Sequence, residues 1–419
     1  LTVTQLPLIA AAQILPLGDK TMTADPGANL ESGTGADTGD DLDSGPGDGT
    51  GAAPEGFAST GIATLGDGAE ASIDSWEDFK DAIDDENTHS ITITGDFDSG
   101  GDSASITIDR EILITADDPH TVDLGEAYIN VINGGNLTLG GELSLSGNDN
   151  QVILVMGGKV TINGGTISAA GGNSCGVAVV GDEAIISEAI INGGTISASG
   201  EYSYGVGIMG GEVIINGGAI SASGQTSVCV WVNGGTVTIN DGTISATGEN
   251  SYGVAVVGGE VTIGGEVQIN SDITGIYVSG EATEVAIEGD ATIGAICGVY
   301  VDGGEVTISG GTISAIDEIE NSSLGVYING GAVTVNGGII SADGTDSVAI
   351  YAGYGELNIE GNAHIEAENV GVKVCFEAVL TIDGGTISAA NYGVWVEDGW
   401  ATINDGTISA TGENSYGVA

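Results

Sequence analysis

Six aromatic residues, Trp231, Tyr277, Tyr300, Tyr327, Tyr351 and Trp395, recur at roughly 24-residue intervals, or twice that, in a chain only 5% aromatic. Lys373 takes the same place in the unit between Tyr351 and Trp395. Aromatic faces stack on sugar rings, so an exposed row at strand spacing would grip an extended polysaccharide, with Lys373 meeting an acidic sugar. Two other readings stand beside this one. Tyr–Tyr stacking between neighbouring strands would stabilise a sheet, and Tyr and Trp are also the usual anchors of protein interfaces.

A second series is acidic: Glu188, Glu212, Glu260, Glu284 and Glu305. Glutamates stacked about 5 Å apart repel by roughly 1 kcal/mol even in a water-like dielectric. Glu260, Glu284 and Glu305 fall in consecutive units and are the candidate metal ligands. Calcium, a hard cation that prefers clustered carboxylates, is the ion they would take. No EF-hand or other compact calcium loop is present, and a solvated acidic face is the plainer reading. A third series pairs hydroxyls, as in Thr166/Ser168, Thr243/Ser245 and Thr386/Ser388. It resembles the Thr-x-Thr arrays of ice-binding β-helices, although Thr also favours any solvent-facing strand position.

What would place these residues in columns is a repeat. The stretch TINDGTISATGENSYGVA occurs at Thr238–Ala255 and unchanged at Thr402–Ala419. The unit reads x-Val-Thr-Ile-Asn-Gly-Gly-Thr-Ile-Ser-Ala, a variable loop, then Ser-Tyr-Gly-Val-x-Val and Gly-Gly. Tetrapeptides like Thr-Ile-Ser-Ala begin at Glu142, Thr166, Thr195, Ala219, Thr243, Glu266, Ala291, Thr312, Ile339, Ala363, Thr386 and Thr407. Alternation within segments and a fixed period between them predict an all-β, right-handed parallel β-helix solenoid, with three short strands per ~24-residue coil. In one coil Val237, Ile239, Ile244, Ala246, Val254 and Val256 should point inward. Such aliphatics are each worth roughly 1.5–3 kcal/mol when buried. An up-and-down barrel or β-sandwich is the rival, and it would need paired hairpin strands.

Composition narrows the partners. Sixty acidic residues against five Lys and Arg give a formal net charge of −55. Nucleic acid is excluded, because phosphate binding needs clustered cations. Electrostatic attachment to anionic membranes and direct membrane insertion are not expected either. Residues 1–24 are read as a partial signal peptide or N-terminal tail, with the apolar run LTVTQLPLIAAAQILPL too short to span a bilayer. The expected location is therefore extracellular or cell surface. Residues 25–68 are read as an acidic Gly/Asp-rich disordered linker. Residues 69–129 would form an N-terminal cap and irregular first coils, with SWEDFKDAIDDENT supplying a capping helix on Trp76, Phe79, Ala82 and Ile83. Residues 130–419 carry the regular repeats, and the stop inside a unit suggests truncation at the C-terminus.

Cys175 and Cys297 share a slot with Tyr204, Tyr252, Tyr392 and Tyr416, just before a corner glycine, which Cys229 itself replaces. The slot is expected to face the core and the thiols to stay free. Catalysis is not expected. The cations and His89, His120 and His364 are scattered, whereas β-helix lyases and hydrolases need clustered acids with a basic partner.

The motif GGxVTINGGTISA…SYGV resembles the Gly-Gly-Thr-Ile repeats of secreted parallel β-helix surface proteins of Gram-positive anaerobes, over residues 130–419. That resemblance implies a non-catalytic, adhesin-like or carbohydrate-binding surface role, and calcium in some of the carbohydrate binders. The expectation is thus an exported rod binding polysaccharide or surface glycan along its aromatic stripe. The alternative is a self-associating stalk or filament subunit, ahead of an ice-binding protein or a polysaccharide-degrading enzyme.

Overall fold

The computed structural model describes residues 69–148, 151–181, 186–316 and 322–419. The expected signal segment and acidic linker, residues 1–68, lie outside the described residues. The described chain is a parallel β-solenoid of about 14 turns.

Alternation inside each short strand dictates what is buried. Val160 and Ile162, Ile167 and Ala169, and Val177 and Val179 all point inward, as do the six residues named for the coil around Thr238. Each strand then pairs in parallel with its counterpart one turn on. Lys159–Ile162 meets Glu188–Ile191, Thr166–Ala170 meets Thr195–Ala198, and Cys175–Val180 meets Tyr204–Met209. Three ladders of this kind run along the stack, here called first, second and third in that order. They enclose one continuous aliphatic core from Ile73 to Val394.

The corner between the first and second ladders comes in two forms. Where it reads Asn-Gly-Gly, the second glycine adopts a left-handed backbone, as at Gly165 and Gly194. In four other turns one extra residue intervenes and turns an apolar side chain inward: Leu143, Val267, Ala291 and Ala363 are all buried. This shifts the register from the tetrapeptide positions expected above. Thr166 pairs with Ser144 rather than Glu142, and Thr243 pairs with Gln268 rather than Glu266. Likewise the second ladder continues through Thr292 and His364, not Ala291 and Ala363.

Polar side chains at two corners are joined along the stack. Asn192, Asn216 and Asn240 each donate an amide N–H to the asparagine one turn before, at 2.8, 3.0 and 2.9 Å. At the second-to-third corner, Ser174, Ser203, Ser227 and Ser251 are fully buried and donate to the carbonyls of Gly171 or Gly224. Buried hydroxyls need such partners, because an unpaired one costs free energy.

The helix Trp76–Asp84 forms where the sequence placed it, with Ser75 as N-cap accepting from the Asp78 N–H. Its buried face, Trp76, Phe79, Ala82 and Ile83, joins the same core as the strands. Arg110 donates to the carbonyls of Ile83, Asp85 and Thr88, fastening the helix C-terminus to a strand. Asp102 accepts from Trp76 Nε1 at 3.2 Å and Lys80 Nζ at 3.1 Å. With the Ala104 N–H as the largest cause, these bonds hold its carboxyl down at about 2.

Two outcomes follow for measurement. Gly265 has φ +60, and an added Cβ would meet the Asn240 carbonyl oxygen. Gly265→Ala should therefore destabilise its coils by about 1–3 kcal/mol in chemical denaturation. Because Asp102 is depressed in the fold, its contribution is present above the ordinary carboxylate range and lost as pH falls from 3.8 to about 2. Trp76 fluorescence should report loosening of the helix over that interval, and Asp102→Asn should remove the transition.

Candidate functional site

The third ladder sets the aromatic column in register. Trp231 pairs with Ala255, Ala255 with Tyr277, and Tyr277, Tyr300, Tyr327, Tyr351, Lys373 and Trp395 follow one per turn. The flanking Val230, Val232, Ile276, Val278, Val299 and Val301 belong to the aliphatic core and the rings do not. The column thus lies on the outer side of the sheet, as alternation requires.

Its expected exposure is overturned at four of the seven named positions. Trp231 is 8% exposed, Tyr277 4%, Tyr300 9% and Lys373 5%. Tyr327, Tyr351 and Trp395 are half-buried. The cause is twofold. Rings one turn apart cover one another, with centroids 5.4 Å apart for Tyr277–Tyr300, 4.9 Å for Tyr300–Tyr327 and 5.3 Å for Tyr327–Tyr351. The slot residues also turn outward instead of inward. Cys175 packs with Leu154 and Ala178 in a cluster separate from the core, against Tyr128, Val180 and Tyr204. Tyr204 lies 5.3 Å from Trp231, and Tyr252 lies 5.6 Å from Tyr277.

From Tyr204 to Tyr351 the two positions are complementary in size. Large Tyr204 and Tyr252 accompany small Gly207 and Ala255, while Val228, Thr274, Cys297, Leu324 and Val348 accompany Trp231, Tyr277, Tyr300, Tyr327 and Tyr351. The Trp231 Nε1 donor is buried there without a partner, so packing rather than hydrogen bonding holds the indole. Burial raises the phenols, pushing Tyr204 and Tyr252 up to about 12.

Lys373 does not face solvent for an acidic sugar. Its ammonium lies 4.1 Å from the Trp395 ring centre and 5.8 Å from that of Tyr351, and meets Glu397 Oε2 at 3.0 Å. The Cys375 thiol donates to the same oxygen at 3.6 Å. Hydrogen bonding from Lys373 holds the Glu397 carboxyl below its ordinary range. Burial raises all four thiols, with Cys175, Cys229 and Cys297 at about 12, so none is poised as a nucleophile. All four are unpaired.

The acidic series also stacks. Glu188 pairs with Glu212, and Glu260, Glu284 and Glu305 succeed one another on the first ladder. Lys159 neutralises its first member, reaching Glu188 at 2.8 Å. Among the described residues no group of three or more His, Cys, Asp or Glu could hold a metal ion. One carboxylate per turn makes a line, whereas an ion needs ligands around it. The hydroxyl face is also interrupted: Ile190, Ile214, Ala286 and Asn358 break the outer threonines of the first ladder, and Gln268, Ile339 and His364 those of the second.

Tyrosines raised in the fold contribute stability that is complete below pH 10.0 and is lost as pH rises towards about 12. Tyrosinate absorbance should therefore rise together with loss of β-sheet circular dichroism over that range. Glu397→Gln should destabilise the coils around it by about 1–2 kcal/mol by leaving the ammonium without its anion. Lys373→Met should cost less, since Glu397 is half-exposed and regains water. The chain matches no protein-family model, no curated protein and no solved structure.

Proposed function

We propose that the chain is a non-catalytic structural rod, exported to the cell surface as a stalk or filament subunit. The observation that carries this reading is the burial of Trp231, Tyr277 and Tyr300 against their own neighbours. A sugar needs an open ring face, and these faces are already covered. The column then works as a staple between coils, with each pair worth about 0.5–1.5 kcal/mol beyond area burial. Right-handed winding in ~24-residue coils and a capping role for the helix Trp76–Asp84 belong to the same proposal. So does kinship with Gly-Gly-Thr-Ile surface proteins. Such a helix would cover the open backbone edge of the first coil, which otherwise invites uncontrolled pairing.

An adhesin-like, carbohydrate-binding role keeps one supporting observation. Tyr327, Tyr351 and Trp395 retain partial exposure at adjacent turns, on either side of Lys373. A neutral glycan could reach their edges, and the described carboxylates would repel an acidic one.

A glycan array together with stability measurements on Tyr300→Ala and Tyr327→Ala distinguishes the two. The structural reading expects no glycan signal above background and a loss of about 3 kcal/mol for Tyr300→Ala. Hydrogen exchange should quicken across the strands either side. Specific glycan binding that Tyr327→Ala abolishes, with unchanged exchange rates in both variants, would reject the stapling role.

A further inference from the structure

The turn between the third and first ladders is built mainly of glycine, as at Gly303-Gly304 and Gly330-Gly331. Two successive turns differ. They carry Tyr354 and Phe376 at their tips, 43% and 50% exposed, with ring centres 5.2 Å apart and planes within 7°. Phe376 has φ 50, a left-handed backbone that bulky residues rarely adopt. Both rings are more exposed than any of the column beside them.

The setting of the pair is acidic. Glu356, Glu377 and Asp398 are exposed on the same or the adjoining turns, and Glu356 is register partner to half-exposed Val379. The chain's described cations are all engaged: Lys80, Lys159 and Lys373 with carboxylates, Arg110 with backbone carbonyls. One of them shows what this combination recognises. Lys373 places its ammonium between the rings of Tyr351 and Trp395 and on the carboxylate of Glu397, on the strand that leads into Phe376.

We propose that the Tyr354–Phe376 pair and its surrounding carboxylates dock an arginine- or lysine-bearing segment of a partner protein. Cations are attracted to ring faces, and a guanidinium can lie flat on the outer face of a ring while reaching a carboxylate. An anionic partner, or a second copy of a chain carrying a net charge of −55, would be repelled. The surface is distinct from the buried column and stands whether or not the chain is a stalk.

The test is binding of a labelled hexa-arginine peptide to the full chain at physiological salt, read by anisotropy. The double variant Tyr354→Ser/Phe376→Asn keeps every charge, and Asn accepts the left-handed backbone readily. Its Kd should rise about tenfold, and Glu377→Gln/Asp398→Asn should weaken binding further. A second arm uses the unaltered protein. Saturating peptide should cut nitration of Tyr354 at least fivefold by mass spectrometry while leaving Tyr202, exposed elsewhere, unchanged. Equal Kd values in wild type and double variant, or equal protection of both tyrosines, would show mere polyanion attraction and overturn the proposal. Failure of the peptide to bind, or binding of a glucosamine oligomer in its place, would overturn it as well.

Discussion

Parallel, in-register pairing of each coil with the next is the constraint on which everything else depends. Backbone donors and acceptors in a buried sheet must be paired, and here the partner is always one turn away. A residue's neighbours along the rod are therefore its counterparts in adjacent repeats. Like meets like, which suits aliphatics, amides and aromatic rings and penalises charge. The asparagine ladder and the ring column are the favourable outcomes of that rule. The glutamate series is the unfavourable one, tolerated where side chains can spread into water.

The third ladder is unlike the other two because it is covered on both faces. The aliphatic core lies on one side, and the slot and column residues form a second, thinner apolar layer on the other. That layer removes most of the surface a ligand would need. It also explains how a lysine can be nine-tenths buried without destabilising the stack: its charge is met by Glu397, and its stem and ammonium by two rings.

Much of this was legible in the sequence. Period-two alternation identifies the inward residues around Thr238, and the recurrence of Tyr277, Tyr300, Tyr327 and Tyr351 places them in one column. Side was readable, but burial was not. Alternation says which face a ring is on and is silent about what covers that face. A signal was nevertheless present. Strands buried on both sides read as continuous apolar runs, and CGVAVV and VCVWV are such runs, whereas KVTI and TISA alternate. The slot was misassigned for a related reason. Apolar occupants such as Val228, Leu324, Val348 and Val370 make the slot read as core-facing, but Gly176 and Val177 both face inward, which turns Cys175 to the outer side. The corner shifts at Val267, Ala291 and Ala363 are not legible in the sequence, because an inserted apolar residue resembles the start of the next strand.

Those odd corners have a consequence for assembly. A molecule with two identical eighteen-residue stretches offers its folding chain near-degenerate ways to stack, since one coil fits nearly as well on another's neighbour. Corners of unequal length, at Leu143, Val267, Ala291 and Ala363, interrupt that degeneracy like irregular teeth on a key. A coil stacked on the wrong neighbour would set an inserted side chain against a corner built without one, a mismatch that the native register avoids.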